Sequence, residues 1–296
     1  MKAEPEKPAP VAKAGNWADL RTRVVSGVVL AVVGLGLMLS SGPVLCAGLS
    51  VLVGLMFWEL AGLTGDITRP RTNARNAWLI GGLAGLAFAG AALLSGLLID
   101  GIGYGLRWAS VPLLLPLIWG CAASVPRNRW PFLLFGVAIF AAAAGIVLVR
   151  SEFGLAGLLW IVGTVVLSDV LGYFAGRRFG GPKFWPAISP KKTWSGTIAG
   201  WIGAFLLALL VVLISGAQEW YLLIVGPLIA FSGQMGDIAE SWLKRRAGVK
   251  DSSNLIPGHG GVLDRFDAMT GAFVVPALVY VFVLVPLMLF VGVPQG

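Results

Sequence analysis

The sequence predicts an all-α, polytopic integral membrane protein with about nine transmembrane helices and a cytoplasmic N-terminus. Of its 296 residues, 57% are hydrophobic and only 12% are charged, and the mean hydropathy is +0.85. Such a chain is too apolar for a soluble domain and long enough for many membrane spans. Two further observations, the number of apolar stretches and the distribution of the cations between them, support the same fold class.

Nine apolar stretches approach the roughly 20 residues that a helix needs to cross the hydrocarbon core. The first two are separated only by the letters SGP, where Gly and Pro favour a tight turn between two spans over one long helix. No internal repeat is apparent, so the inverted-repeat architecture of many secondary transporters is not supported. The predicted spans are residues 24–41, 43–63, 78–99, 107–125, 131–149, 155–176, 196–215, 219–240 and 268–293.

The distribution of cations predicts the orientation, because short cytoplasmic loops are enriched in Lys and Arg. With the N-terminus inside, nine spans place all 22 cations except Arg107 and Arg150 in the tail or in cytoplasmic loops. Eight or ten spans would put a basic loop on the opposite side. The formal net charge of +8 therefore lines the cytoplasmic face, where anionic lipid headgroups attract it, and we expect no nucleic-acid partner.

Three segments are predicted along the chain. Residues 1–22 are basic, contain prolines and lack the features of a signal peptide, which indicates a disordered cytoplasmic tail. Residues 23–150 hold about five N-terminal transmembrane helices. Residues 151–296 hold about four more helices and two cytoplasmic loops, and this region carries the candidate catalytic residues. The two cysteines, Cys46 and Cys121, are expected to be packing residues, since they are predicted near opposite membrane faces.

Four acidic side chains fall within predicted spans, near their cytoplasmic ends: Glu59, Asp169, Asp237 and Glu240. A charged residue at the centre of a membrane helix costs about 2.5–3.5 kcal/mol on insertion scales, so one that occurs there usually faces a partner or a polar cavity. Glu59 fits an interfacial or paired residue about as well as a site residue. Glu240 could simply pair with Lys244, four residues later on the same helix.

Three other carboxylates fit a site for a metal ion better. Asp237 shares one face of the eighth span with Ser241 and Lys244, at positions i, i+4 and i+7. Asp264 and Asp267 are three residues apart and share a face if the chain is helical there. Carboxylates beside phosphate-seeking cations are what a Mg²⁺ site for a nucleotide requires.

The only histidine, His259, lies in the glycine-rich stretch PGHGG. Its glycines permit positive φ angles and let backbone N–H groups approach an anion, although the P-loop pattern is absent. One histidine with no cysteine nearby does not favour zinc. His259 could donate to a phosphate or fix the turn, and the sequence leaves both roles open.

Two blocks of sequence carry a family resemblance. SWLKRRAGVKDSSNLIPGHGGVLDRFD, residues 241–267, resembles the C-terminal signature of the phosphatidate cytidylyltransferases, also called CDP-diacylglycerol synthases. SDVLGYFAGRRFGGPKFWPAISPKKTWSG, residues 168–196, resembles an upstream motif of the same family, and GQMGDIAES, residues 233–241, joins the two. The resemblance is firm from about residue 155 to the end of the ninth span and weak before it. One departure is Ser195, where many relatives have Glu, which puts a catalytic part for that position in doubt.

This resemblance implies a reaction in which the phosphate of phosphatidic acid attacks the α-phosphorus of CTP and yields CDP-diacylglycerol and pyrophosphate. It implies Mg²⁺ as the cofactor, with the number of metal ions left open. It also implies a homodimer in the bacterial inner membrane, with the active site on the cytoplasmic side.

The residue chemistry and the resemblance together give candidate roles. The expected metal ligands are Asp237, Asp264 and Asp267, with Asp169 as a further ligand or an orienting group. The residues expected to be catalytic are Asp264, Asp267, Asp237, Lys192 and Lys250. The residues expected to bind CTP or the lipid phosphate are Ser189, Lys191, Thr193, Ser241, Lys244, Arg245, Asp251, His259 and Arg265.

Two alternatives remain open at this point. A CDP-alcohol phosphotransferase would also use aspartates at the membrane interface, but its D-G-x-x-A-R motif is missing from the sequence. A transporter would favour carboxylates near the bilayer midplane in paired, broken helices, whereas here the polar groups gather near the cytoplasmic edge.

Overall fold

The computed structural model describes residues 17–95, 111–215 and 219–284. Within these ranges the chain forms α-helices and one β-hairpin. The helices are α1 (Trp17–Leu39), α2 (Gly42–Thr64), α3 (Pro70–Leu94), α4 (Val111–Ala123), α5 (Arg129–Glu152), α6 (Gly154–Phe179), α7 (Trp194–Ser215), α8 (Leu222–Arg246) and α9 (Leu263–Val279), and the strands are β1 (Lys183–Trp185) and β2 (Ser189–Thr193). A 3₁₀ turn, Pro126–Asn128, precedes α5, and a π-helical turn, Tyr280–Leu284, follows α9.

The protein is an all-α polytopic membrane protein, as predicted. Eight of the described helices are long and apolar enough to cross a membrane, and α4, with 13 residues, is shorter. Each of the nine predicted spans overlaps one described helix. Parts of the predicted tail, of the span at 78–99, of the span at 107–125 and of the last span lie outside the described residues.

Several helices extend beyond the predicted spans, mostly at polar ends. Helix α3 begins at Pro70, so most of the segment expected as a loop at 64–77 is helical. Proline suits the first turn of a helix, where its missing N–H would have no partner. Helix α8 likewise continues through basic residues to Arg246, and residues 17–22 of the expected tail belong to α1. Hydropathy misses such ends because they extend beyond the apolar part of each helix.

The turn between α1 and α2 lies where the letters SGP predicted it. Helix α1 ends at Leu39, and Ser41 has an extended backbone, with φ −66° and ψ 158°. Pro43 then lies in the first turn of α2. These two helices are therefore separate elements.

Helix α9 is central to the packing, because it contacts α8 on one side and α5 on another. Gly236 on α8 and Gly271 on α9 allow the first of these contacts. A Cβ atom at Gly236 would collide with the backbone oxygen of Asp267, and one at Gly271 would collide with the backbone oxygen of Ser232. The two helices therefore meet backbone to backbone, and this contact brings the acidic residue after Gly236 close to the start of α9.

Loops that were predicted to be cytoplasmic share one end of the bundle. Arg246, at the end of α8, donates from Nη2 to the backbone oxygen of Arg127 (2.6 Å) and from Nε to Oδ1 of Asn128 (3.0 Å). Asn128 in turn donates from Nδ2 to the backbone oxygen of Thr64, at the end of α2 (3.4 Å). The ends of α2 and α8 and the start of α5 are thus joined by polar contacts.

The SPKKT stretch, expected as a loop, forms the second strand of an antiparallel hairpin. Lys183 pairs with Thr193, and Trp185 pairs with Ser189. The ring of Phe184 packs edge-on against Trp194, with centroids 4.7 Å apart. The hairpin holds its lysines in a fixed register beside the ends of α6 and α7.

Candidate active site

A cluster of three aspartates and one lysine, here called the Asp237 cluster, draws residues from four elements. Lys192 of β2 places Nζ 2.5 Å from Oδ2 of Asp237 on α8, and it also donates to the backbone oxygen of Gln234 (3.3 Å). Asp267 of α9 is close enough to Asp237 for the two carboxylates to interact. Asp169 of α6 interacts electrostatically with both Lys192 and Asp237. Both sequence blocks that carried the resemblance therefore contribute to one cluster.

A second cluster, here called the Lys244 cluster, is more deeply buried. Nζ of Lys244 lies 2.5 Å from Oε2 of Glu240 and 2.6 Å from Oδ1 of Asp264. The side chains of these two acids are only 1% and 3% exposed, respectively. The pairing of Glu240 with Lys244 that the i, i+4 spacing allowed is confirmed, and Asp264 shares the same cation.

The second oxygen of Asp264 is also engaged. Oδ2 accepts hydrogen bonds from the backbone N–H of Gly261 (2.7 Å) and from the backbone N–H and hydroxyl of Ser252 (2.8 and 2.9 Å). Asp264 therefore ties the loop that precedes α9 to Lys244 on α8. Sequence spacing predicted the shared face of α8 but not these loop contacts.

The structure does not gather the four expected metal ligands into one group. Among the described residues, no three His, Cys, Asp or Glu side chains lie close enough together to hold a metal ion. Asp264 belongs to the Lys244 cluster, whereas Asp169, Asp237 and Asp267 belong to the Asp237 cluster. Asp237 and Asp267 are the acids that face each other across the contact between α8 and α9.

The PGHGG loop is held at its histidine by helix α1. Gly258 and Gly260 have φ angles of 75° and 82°, which favour glycine. Nδ1 of His259 lies 2.7 Å from the hydroxyl of Ser26, and Nε of Arg265 donates to the backbone oxygen of His259 (3.0 Å). Of the two roles that the sequence left open for His259, these contacts favour fixing the turn.

An open cavity of about 530 Å³ lies between α6, the hairpin and α7. A volume of this size is typical of ligand sites, which span about 300–1,000 Å³. Cationic side chains on the end of α6 and along the hairpin line one part of it, and Asp169 lines another. The lining cations are Arg177, Lys183, Lys191 and Lys192.

The remaining expected site residues fall on the hairpin, on α8 or on the loop that follows it. Ser189 and Thr193 lie on β2, with Thr193 buried at the cavity wall. Ser241 is half-buried on α8. Arg245, Lys250 and Asp251 are exposed, and no contact among the described residues joins them to the Asp237 cluster.

Ser195, which stands where many relatives have Glu, makes hydrogen bonds that support the hairpin. Its hydroxyl donates to the backbone oxygen of Gly180 (2.5 Å) and lies 3.0 Å from the hydroxyl of Thr193. It therefore closes the base of the hairpin against the end of α6.

Sequence reasoning did not assign a role to Glu59, Arg177 or Lys183. Glu59 is 2% exposed on α2 and accepts hydrogen bonds from the loop before α9. Its sequence signals are its place inside a predicted membrane span and the absence of any polar residue three or four positions away on its own helix. Arg177 and Lys183 line the cavity. Their position in the same sequence block as the SPKKT stretch could have indicated a role in binding phosphate.

Comparison with known proteins places this arrangement in a family. A model of the cytidylyltransferase family matches residues 21–284. The chain belongs to the cytidylyltransferase family. Its enzymes are nucleotidyltransferases, so the chain is an enzyme of that class, and the clusters on α8 and α9 lie within the matched region.

Individual relatives agree with this assignment. The chain is 35% identical over 271 residues to a phosphatidate cytidylyltransferase of Brucella abortus, a match that covers 90% of this chain and 93% of the relative. It is 34% identical over 263 residues to one of Pseudomonas aeruginosa, covering 86% and 94%. A relative from Staphylococcus saprophyticus with the same name is 43% identical over a shorter match of 131 residues.

Proposed function

We propose that the protein is a phosphatidate cytidylyltransferase, which converts CTP and phosphatidic acid into CDP-diacylglycerol and pyrophosphate in phospholipid synthesis. The observation that carries the proposal is the contact of Lys192 with Asp237, because it joins the upstream family motif, residues 168–196, to the GQMGDIAES segment beside a cation-lined cavity. The names of the relatives, which match nearly the whole chain, support the same substrates.

The reaction needs cations more than it needs a base. The lipid phosphate is already an anion, so the enzyme must bring two polyanions together and stabilise the charge that spreads during phosphoryl transfer. Lys191 and Lys192, with Arg177 and Lys183, supply such charge around the cavity. Charge-assisted hydrogen bonds from these groups would hold the phosphates of CTP or of the lipid. The hydroxyl groups of Ser189, Thr193 and Ser241 would add neutral donors.

The proposed Mg²⁺ fits the Asp237 cluster better than it fits the Lys244 cluster. Mg²⁺ prefers oxygen ligands and typically takes one or two protein carboxylates together with substrate phosphates. Asp237 and Asp267 face each other, and Lys192 offsets only part of their charge. When bound, Mg²⁺ would neutralise charge on the phosphates of CTP and on the pyrophosphate leaving group. Asp169 would add a ligand or an orienting contact.

Asp264 has a different role in this proposal. Both of its oxygens are engaged by Lys244 and by loop donors, which supports a positioning role for it at the start of α9. The loop it holds carries Lys250 and Asp251, and Arg265 follows in the first turn of α9. The side chains of these three residues would contact substrate phosphates or help to position them. Arg245 lies at the same end of α8.

The proposal includes an orientation. We infer nine membrane spans with a cytoplasmic N-terminus because the distribution of cations favours this orientation. The bacterial inner membrane is part of the proposal because the family resemblance implies it. The polar contacts that join the ends of α2 and α8 and the start of α5 support this arrangement. The active site would then face the cytoplasm, where CTP is found. A homodimer is part of the proposal on the strength of the family resemblance.

The experiment that tests the function offers the purified protein three sets of substrates. Phosphatidic acid with CTP and Mg²⁺ should yield CDP-diacylglycerol. CDP-diacylglycerol with an alcohol should yield no phospholipid, and protein in vesicles should give no CTP-independent solute flux. Consumption of CDP-diacylglycerol would favour a CDP-alcohol phosphotransferase, and solute flux alone would favour a transporter.

A further inference from the structure

Glu59 is a buried carboxylate, and within the part of the chain that the structure describes its hydrogen-bond partners are all neutral donors on the loop that leads into α9. Oε1 accepts from the hydroxyl of Ser253 (2.6 Å) and from the backbone N–H of Val262 (2.9 Å). Oε2 accepts from the hydroxyl of Ser252 (3.0 Å) and from the backbone N–H of Leu263 (2.6 Å). Four hydrogen bonds from one loop therefore converge on one side chain of α2.

These contacts cap the N-terminus of α9. The first N–H groups of a helix have no partner within the helix, and the helix dipole favours negative charge there. Asp264, in the first turn of α9, accepts from the N–H of Gly261 but not from those of Val262 and Leu263. The carboxylate that accepts from these two N–H groups comes from a helix about 200 residues earlier in the chain.

Glu59 and Asp264 hold the same loop residues. The hydroxyl of Ser252 lies 3.0 Å from Oε2 of Glu59 and 2.9 Å from Oδ2 of Asp264, so it is shared between them. Gly261 is enclosed by the same groups, because a Cβ atom there would collide with the hydroxyl of Ser252 and with Oε1 of Glu59. Moving Glu59 would therefore release the donors that orient Asp264.

We infer that Glu59 is a positioning residue for the reaction: it fixes the loop of residues 251–263 so that Asp264 and Asp267 start α9 in register with α8. The inference rests on the proposed function, because it assumes that this loop serves the transfer of the cytidylyl group. It assigns to the N-terminal helices a direct part in assembling the site, although the expected catalytic residues all follow residue 168.

The test replaces Glu59 with Gln and with Asp. Gln has nearly the same size but offers one acceptor oxygen and turns an N–H₂ group toward the loop donors, so two of the four bonds are lost. We expect E59Q to lower kcat by about 10- to 100-fold, the range typical of losing a group that orients active-site residues. The KM for CTP and the KM for phosphatidic acid should change little. E59D keeps the charge and should recover part of that loss.

Thr64→Val is the matched control. Thr64 is buried on the same helix, where its hydroxyl donates to Leu60 and accepts from Ser124, and it makes no contact with the loop of residues 251–263. T64V should lower the midpoint of thermal unfolding without changing kcat per folded molecule. If E59Q behaves like T64V, with lower stability and unchanged kcat, Glu59 is only a packing residue and the inference is wrong.

Hydrogen exchange on the same samples separates this inference from the proposed function. Exchange of the amides of Val262 and Leu263 should be faster in E59Q than in the wild type and unchanged in T64V, whatever the substrate is. Wild-type protein without CDP-diacylglycerol synthesis would overturn the proposed function. Unchanged exchange of these amides in E59Q, or in E59D if E59Q does not fold, would overturn the inference alone.

Discussion

Lys192 and Asp237 lie 2.5 Å apart, Nζ to Oδ2, although they are 45 positions apart in the chain. Lys192 is fixed by its strand register in the hairpin and Asp237 by the close contact of α8 with α9. The contact therefore depends on the hairpin, α8 and α9 being packed together. Asp169 interacts electrostatically with both Lys192 and Asp237, and Asp267 interacts with Asp237.

Replacing Lys192 should damage the chemical step more than replacing its neighbour does. Lys192 is partly buried against Asp237, whereas Lys191 is exposed on the same strand. K192A should lower kcat by about 100-fold or more, the cost typical of losing a donor that stabilises transition-state charge. K191A should mainly raise the KM for CTP or lipid, because it removes binding that substrate and transition state share. Steady-state kinetics would contradict this distinction if K192A kept the wild-type kcat.

Asp237→Asn should change the Mg²⁺ requirement. If Asp237 is a ligand, the Mg²⁺ concentration that gives half-maximal activity should rise by at least the roughly 10- to 100-fold that loss of an outer-shell partner costs. Asp66→Asn is the control, since Asp66 lies in the exposed loop between α2 and α3 beside Arg69. A metal titration in which D237N and D66N both match the wild type would remove Asp237 from the metal site.

Lys244→Met tests the buried ion pairs. The change leaves Glu240 and Asp264 buried without the cation they share. Removing one partner of a buried ion pair typically costs about 3–5 kcal/mol, so the midpoint of thermal unfolding should fall clearly. The double variant K244M/E240Q removes one of the two uncompensated charges and should be more stable than K244M. Equal unfolding midpoints for K244M and the wild type would contradict this account of the cluster.

Gly261→Ala and Gly62→Ala form a pair that tests the enclosure of the loop. A Cβ at Gly261 would meet the side chains of Ser252 and Glu59, whereas one at Gly62, on α2, meets nothing within 4 Å. Overpacking of this kind costs about 1–3 kcal/mol, so G261A should lower both stability and activity. G62A should leave activity unchanged and stabilise α2 by up to about 1 kcal/mol, the helix propensity difference. Thermal unfolding and activity assays measure both effects, and a fully active, stable G261A would disprove the enclosure.

The helices were predictable because each leaves a local signature. A run of apolar residues with Gly-Pro at its edge marks α2, and the spacing of Asp237, Ser241 and Lys244 marks one face of α8. The resemblance to a family added expected roles for the polar residues of 168–196 and 241–267. These signals depend only on residues that are close in sequence.

Contacts between distant residues were not predictable in the same way. The hairpin was expected as a loop, because its short strands carry one proline and three lysines and show no clear alternation of apolar and polar residues. The partners of Glu59 and of Asp264 lie on a loop whose path is determined by long-range packing. Asp264 was therefore expected as a metal ligand, although its oxygens bind Lys244 and backbone donors, and Glu59 was left without a role.

The central claim, transfer of a cytidylyl group to phosphatidic acid, is tested most directly by the fate of labelled phosphorus. Purified protein with phosphatidic acid and Mg²⁺ should transfer label from α-³²P-CTP into the lipid phase, and label from γ-³²P-CTP should appear only in pyrophosphate. The account would be contradicted by label from γ-³²P-CTP in the lipid phase, or by the absence of label from α-³²P-CTP there.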